Sequence, residues 1–459
     1  MSFDASTAVE QIWARDASLW TGRDEASWLG WLDVAERMRA QVGGLADFAA
    51  SVGDDGLDNV VLLGMGGSSL APEVMRRLAG ATSFHVLDST HPAALLAAPT
   101  APGVERTLFL IASKSGTTIE TRSQLEFFWE KTGANGGQFA AITDPGSELE
   151  TLASERGFRA TFSGEAEVGG RYSALSAFGM VPAALMGLDL EAVLDGALGM
   201  AEACRAPDVN ENPGLALGLE LGAAWHEGRD KVILNPNPGA FGLWVEQLIA
   251  ESTGKDGKGL VPCPDESPEG ADRQAAEIKL ADIADVGAEF FRFEFATAIV
   301  GAMIGINPFD QPNVQEAKDR TGAILAGGEQ PVLDPVGSVD SLLDSAREGD
   351  YVTLLAFVPA SIENERELAR ARAELSARTG LPTTAGFGPR YLHSTGQLHK
   401  GGPGSGLFIQ LVDDPPHLDI PGRDYGFRRL IRAQAQGDFE ALLERGRRAA
   451  RVSWSELVG

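Results

Sequence analysis

The residues of this 459-residue chain that could do chemistry fall into six short segments. Ser113, Lys114, Ser115, Thr117 and Thr118 place four hydroxyls and an ammonium between an apolar run (107–111) and a helix-like stretch. Capping a helix takes one hydroxyl, so this density points to an oxyanion such as phosphate, held by hydroxyls and the free N–H groups of a helix start. The Gly-x4-Gly-Lys spacing of a nucleotide-binding P-loop is missing. A second loop carries Gly64, Gly66, Gly67, Ser68 and Ser69, again between an apolar run and a helix. Its glycines permit positive φ and close backbone approach, which suits a bound anion or a plain turn equally. Arg171 follows Gly169 and Gly170 at a helix start, where a cation opposes the helix dipole, so contact with an anion is the better reading. Glu251 closes an amphipathic stretch (241–252), and a helix C-terminus disfavours a carboxylate by roughly 0.3–1 kcal/mol. On periodicity alone it remains an ordinary helix residue. Gln311 lies in a Pro-rich turn (307–312) that restarts a helix leading to Lys318. His393 and His399, two of six histidines, share a Gly-rich segment (393–403), readable as buried core histidines or as acid–base groups.

Those segments need a scaffold, and the apolar pattern supplies one. Short runs at 60–63, 84–87, 107–111 and 139–142 alternate with helix-like stretches. Runs without polar alternation suit strands covered on both faces, hence a doubly wound parallel α/β sheet whose carboxyl ends carry the first two loops. Residues 7–50 read as helices, and 172–200 as a long helical stretch closing the first unit. A second βα unit starts near 230, with strands at 231–234 and 259–261 and an apolar run, 290–295, before the helix-like 296–305. Past 335 a small α+β unit is expected. The predicted division is a helical segment (1–50), two α/β domains (51–205 and 206–334) and a C-terminal α+β domain (335–459).

Composition narrows the function classes. The 65 acidic residues against 38 basic give a net charge of −27, which repels nucleic acid phosphates and anionic lipid heads. Two cysteines, Cys204 and Cys263, make neither a disulfide framework nor a zinc cluster. No basic stretch leads into an apolar one at the start, and no apolar run reaches the ~20 residues of a membrane span. The expectation is a soluble cytoplasmic protein with no nucleic acid or membrane partner, no metal and no cofactor. Its site should be a positive pocket, because Lys114, Arg171, Lys255, Lys258 and Lys318 all lie in the candidate segments.

Taken in chain order, the motifs at 64–69, 113–121, 168–173, 247–255 and 307–318 resemble the phosphoglucose isomerase family. The resemblance is closest to the isomerase half of bacterial fused transaldolase/phosphoglucose isomerase proteins, through the segment 390–402 and the extra C-terminal domain. It implies two sugar-isomerase (SIS) domains and interconversion of glucose 6-phosphate and fructose 6-phosphate through a cis-enediol. It implies Ser113, Lys114, Ser115 and Thr118 as phosphate ligands, and Gly66, Gly67 and Ser68 beside the sugar. Arg171 would face the enediolate, Glu251 would shuttle the C1–C2 proton, and Gln311 and Lys318 would close the site. A homodimer is expected, because in the family a histidine from the neighbouring subunit completes the site. One departure stands out. The family's ring-opening histidine lies between the Glu and the Gln…Lys motif, and this chain has none between Glu251 and Lys318. Either the histidine has moved to His393 or His399, or ring opening works differently. A bifunctional glucose/mannose-6-phosphate isomerase and a non-catalytic SIS-type sugar-phosphate sensor are the alternative readings. A sensor has no use for a base at Glu251.

Overall fold

The structure, a computed structural model, describes residues 3–98, 100 and 103–458. Its first sheet contains β1 (Asn59–Gly64), β2 (Phe84–Leu87), β3 (Thr107–Ala112), β4 (Phe139–Thr143) and β5 (Ala160–Ser163), in the order β2-β1-β3-β4-β5. All its pairings are parallel. β1, β3 and β4 are buried throughout, which is why their sequences lack polar alternation. The chain runs from β1 outward to β2 and returns on the other side as β3. That reversal opens a crevice at the carboxyl ends of β1 and β3, where the glycine loop and the hydroxyl-rich loop emerge.

Two smaller parallel sheets complete the chain. β6 (Lys231–Leu234), β7 (Val261–Pro264) and β8 (Arg273–Ala275) pair in the order β7-β6-β8. β9 (Tyr351–Phe357), β10 (Thr383–Phe387), β11 (Gly406–Val412) and β12 (Arg448–Ser453) pair in the order β10-β9-β11-β12. This last unit, expected as α+β, has all four strands parallel with helices between them, the same alternation as the first sheet. Ile233, Val261 and Cys263 form one buried cluster with Tyr351 and Leu398, so the two smaller sheets share a core.

The N-terminal segment folds into the helices Ala5–Trp13, Val34–Arg39 and Val42–Asp54 with short 3-10 turns between them. It docks through aromatic contacts: the Trp31 ring lies 5.4 Å from Tyr172 and 5.6 Å from Phe291. The helical stretch expected over 172–200 divides into Ala177–Leu185 and Leu190–Ala203. Gly187 turns at φ +75°, and the Asp189 side chain starts the second helix by accepting from Ala192 N–H. The run 290–295 lies inside a single helix, Ile283–Ile304, started by a capping box at Asp282. A short apolar run does not by itself distinguish strand from buried helix, and here the cap decides. Among the described residues no helix is long and apolar enough to cross a membrane.

Candidate active site

The crevice of the first sheet opens into a cavity of about 430 Å³. Gly66, Gly67, Ser68, Ser113, Lys114, Ser115, Thr118, Arg171, Glu251, Gln311, Lys318 and His393 all line it, with Gln247, Asp144 and Gln315. Of the residues to which the resemblance gives a role, His399 is the one outside that lining; Thr117 also lies outside it.

Glycine is required where the loop after β1 meets the rest of the site. Gly66 turns at φ +54°, and a Cβ there would lie 2.4 Å from the carbonyl oxygen of His393. A Cβ on Gly67 would lie 2.1 Å from the carbonyl oxygen of Gly170. Two distant segments thus pack directly on the loop backbone, one carrying His393 and the other Arg171.

The hydroxyl-rich loop precedes the helix Ile119–Lys131. Ser113 Oγ accepts from Gly116 N–H at 3.2 Å and lies 3.1 Å from Thr118 Oγ1, while Ser115 Oγ lies 2.9 Å from Thr117 Oγ1. These hydroxyls face the helix N-terminus and can all rotate to donate to an anion. Lys114 is held differently from the expectation: its Nζ pairs with Asp144 at 2.5 Å and donates to the Glu165 carbonyl at 2.7 Å. Lys318, in the helix Val314–Ala326, makes no hydrogen bond or salt bridge to the described residues, so its charge is available to the cavity. Lys255 and Lys258 do not line the cavity, and the positive lining reduces to Lys114, Arg171 and Lys318.

Arg171, 2 % exposed, joins two elements. Its Nε donates to Ser252 Oγ at 2.8 Å, its Nη1 to Gln311 Oε1 at 3.0 Å, and its Nη2 to the carbonyls of Pro308 and Asp310 at 2.8 and 3.0 Å. Of five guanidinium N–H groups, one on Nη1 is left, and Nη1 lies 3.6 Å from Glu251 Oε1. Behind it, Lys255 donates to the carbonyls of Ser252 and Asn307, and burial, followed by the charge of Arg171, pushes its pKa down to about 7.

Glu251 sits on the last turn of the helix Gly242–Thr253 and is 8 % exposed. Gln247, one turn earlier, donates through Nε2 both to Glu251 Oε2 at 3.0 Å and to the His393 carbonyl at 2.9 Å. That amide ties the carboxylate to the histidine backbone. The unfavourable end of the helix dipole is offset by this bond and by the guanidinium.

His393 ends a short 3-10 turn (Arg390–His393) beyond β10, and its Nε2 lies 2.8 Å from Glu120 Oε1. Burial works against ionisation of Glu120, but the charge and hydrogen bond of His393, with Lys318 nearby, hold its pKa below the usual carboxylate value. An ionised Glu120 accepts only, so Nε2 carries the proton. His393 Nδ1 makes no hydrogen bond to the described residues. Glu120 and Gln247 are functional candidates that sequence reasoning missed, although both lie inside the motifs. The signals were an acid in a first helical turn and a Gln four positions before Glu251 on the same helix face.

His399, on the helix Gly396–Gly401, is 3 % exposed, between the rings of Tyr391 (6.0 Å) and Phe408 (5.2 Å). Burial, with Lys400 and Arg447 nearby, drives its pKa well below the ordinary 6.5. The unfolded chain therefore takes up a proton below about pH 6.5 that the folded one refuses, and stability should fall as pH drops through that range. In urea titrations at several pH values, His399→Phe should flatten this acid-side loss. An unchanged profile would refute the assignment.

Among the described residues no group of three or more His, Cys, Asp or Glu is placed to hold a metal ion. The lining combines a hydroxyl-rich loop at a helix start, a carboxylate beside a guanidinium, and a histidine whose Nδ1 makes no hydrogen bond to the described residues, a set suited to proton transfer on a phosphorylated substrate.

A family model described as phosphoglucose isomerase matches residues 37–258. A glucose-6-phosphate isomerase from Gloeothece citriformis is 35 % identical over 216 residues, 44 % of this chain and 41 % of the relative. One from Synechococcus elongatus is 31 % identical over 275 residues, 55 % of this chain and 50 % of the relative. The chain thus spans half or less of the length of these curated relatives. Among solved structures, a glucose-6-phosphate isomerase from Chlamydia trachomatis superposes with TM-score 0.54 at 19 % identity, covering 70 % of this chain and 78 % of that one. A hypothetical protein from Thermus thermophilus does so with TM-score 0.50 at 20 % identity, covering 98 % and 83 %. These similarities show the shared fold. The matched segment holds four of the five motifs, and over it the chain is similar to the phosphoglucose isomerase family.

Proposed function

We propose that this chain is an aldose–ketose isomerase interconverting glucose 6-phosphate and fructose 6-phosphate. The observation that carries the reading is the Gln247 amide, which holds Glu251 and His393 together in one cavity with the hydroxyl-rich loop. A hexose 6-phosphate is predominantly cyclic, so its isomerisation needs a group that opens the ring and another that moves a proton between C1 and C2. The cavity offers one of each.

Ser113, Ser115, Thr118 and the start of the helix Ile119–Lys131 would take the phosphate, with Lys318 closing over it. Binding through this non-reacting group positions the sugar for the chemical step. His393, its Nε2–H fixed by Glu120, presents Nδ1. As imidazolium it gives a proton to the ring oxygen while the C1–O5 bond breaks and the 1-hydroxyl gives its proton to solvent water. Glu251 then takes the C2 proton, leaving a 1,2-enediolate whose charge meets the remaining Nη1–H of Arg171. Return of that proton to C1, with the 2-hydroxyl proton passing to O1, completes the ketose. One carboxylate thus serves both directions.

His393 reaches the cavity from the same chain. Coupled assays with glucose, fructose and mannose 6-phosphates test the proposal. Reversible glucose/fructose conversion is expected. Tight binding of all three without turnover would favour a sensor instead, and turnover of mannose 6-phosphate as well would mark a bifunctional enzyme.

A further inference from the structure

The histidine–carboxylate pair is anchored from a part of the chain that carries none of the five motifs. Gln434, 2 % exposed on the helix Phe427–Glu444, donates through Nε2 to Glu120 Oε1 at 2.8 Å, the same oxygen that His393 bonds. Its other end is fixed as well: Gln434 Oε1 accepts from the Thr90 hydroxyl at 2.6 Å, and Thr90 is fully buried. Oxygen and nitrogen are therefore assigned by the network, since flipping the amide would set two acceptors against each other at Glu120. Thr90 lies between β2 and the helix Pro92–Leu96, so the chain of bonds crosses from the first sheet through the C-terminal helix to the cavity. Gln434 also lines a second cavity of about 270 Å³ beside Glu120, His393 and Lys318.

We propose that Gln434 is a positioning residue for ring opening, acting through Glu120 on His393, with Thr90 as its own anchor. A donor aimed at the carboxylate favours its ionised form, which can only accept, so that Nε2 carries the proton and Nδ1 is left toward the sugar. The C-terminal helix thereby selects the imidazole tautomer in a site whose lining otherwise comes from residues between Met65 and His393. This inference rests on the isomerase reading above.

Two variants and two kinds of measurement test it. Gln434→Met keeps length and apolar bulk and removes the donor. Thr90→Val leaves the amide but frees its far end. With Gln434→Met, kcat on the cyclic hexose phosphate should fall about tenfold, as for one lost hydrogen bond to a charged group, with KM little changed. The acid limb of its pH profile should move to higher pH. Turnover of a short aldose phosphate that does not cyclise should stay within about twofold, since ring opening is the only step touched. Thr90→Val should shift the same quantities in the same direction by less. Independently of turnover, the 15N spectrum of His393, assigned by its loss in His393→Gln, should show the Nε2–H tautomer in the native chain and a mixture in Gln434→Met. Equal losses on cyclic and acyclic substrates, or an unchanged tautomer, would overturn the proposal and leave Gln434 as packing. If the native chain isomerises nothing, the functional reading fails, and the 15N comparison still decides whether Gln434 sets the histidine.

Discussion

Glu251→Gln should lower turnover of sugar phosphate about 10²- to 10⁴-fold, the usual contribution of a positioned general base. Binding should survive, because the new side chain keeps an oxygen for the Gln247 amide and the same volume beside Arg171. The expected kinetic pattern is a collapse of kcat with KM nearly unchanged, as for an interaction used only in the transition state. Loss of deuterium exchange from C2 into water should accompany it. Retention of native turnover by this variant would sink the proposed mechanism outright, whereas loss of both turnover and binding would mean that the Arg171–Glu251 contact is mainly structural.

The second large effect separates the two histidines. His393→Ala should slow the cyclic substrate about 10²-fold or more while sparing an acyclic one, since only ring opening uses it. His399→Ala should show no such split. Its ring fills space between Tyr391 and Phe408, so the cost should appear as roughly 1–3 kcal/mol of stability, read from denaturant titration. A selective loss on cyclic substrate in the His399 variant, with none in the His393 variant, would exchange their roles.

Much of this was legible from residue types. Parallel strands covered on both faces gave unalternating apolar runs, and the two loops fell where an open sheet reverses direction. Every residue to which the resemblance gives a role, except His399, lines the same cavity, whereas Thr117, Lys255 and Lys258 do not. What escaped has physical reasons. Glu120 looks like any acid compensating a helix N-terminus, and Gln247 like any polar residue on a helix, so their roles exist only once the chain has brought His393 beside them. His393 and His399 share one short segment, and nothing local says that one faces the cavity and the other a pair of aromatic rings. Lys114 satisfies its motif yet turns to Asp144, on the far side of the next helix and strand. The run 290–295 carried no periodicity to distinguish strand from buried helix.

The bond from Gln434 to Glu120 closes a loop of 314 positions. A chain leaving the ribosome completes the family-matched segment at residue 258 long before that loop can shut. At roughly 5–20 residues per second, the interval is on the order of ten seconds or more. Through it the hydroxyl-rich loop and Glu251 exist without the complete pairing of His393, Glu120 and Gln434. Catalytic competence should therefore arrive as a late, single event in the protein's birth, and a fragment ending after Glu251 should hold the first motifs and no activity.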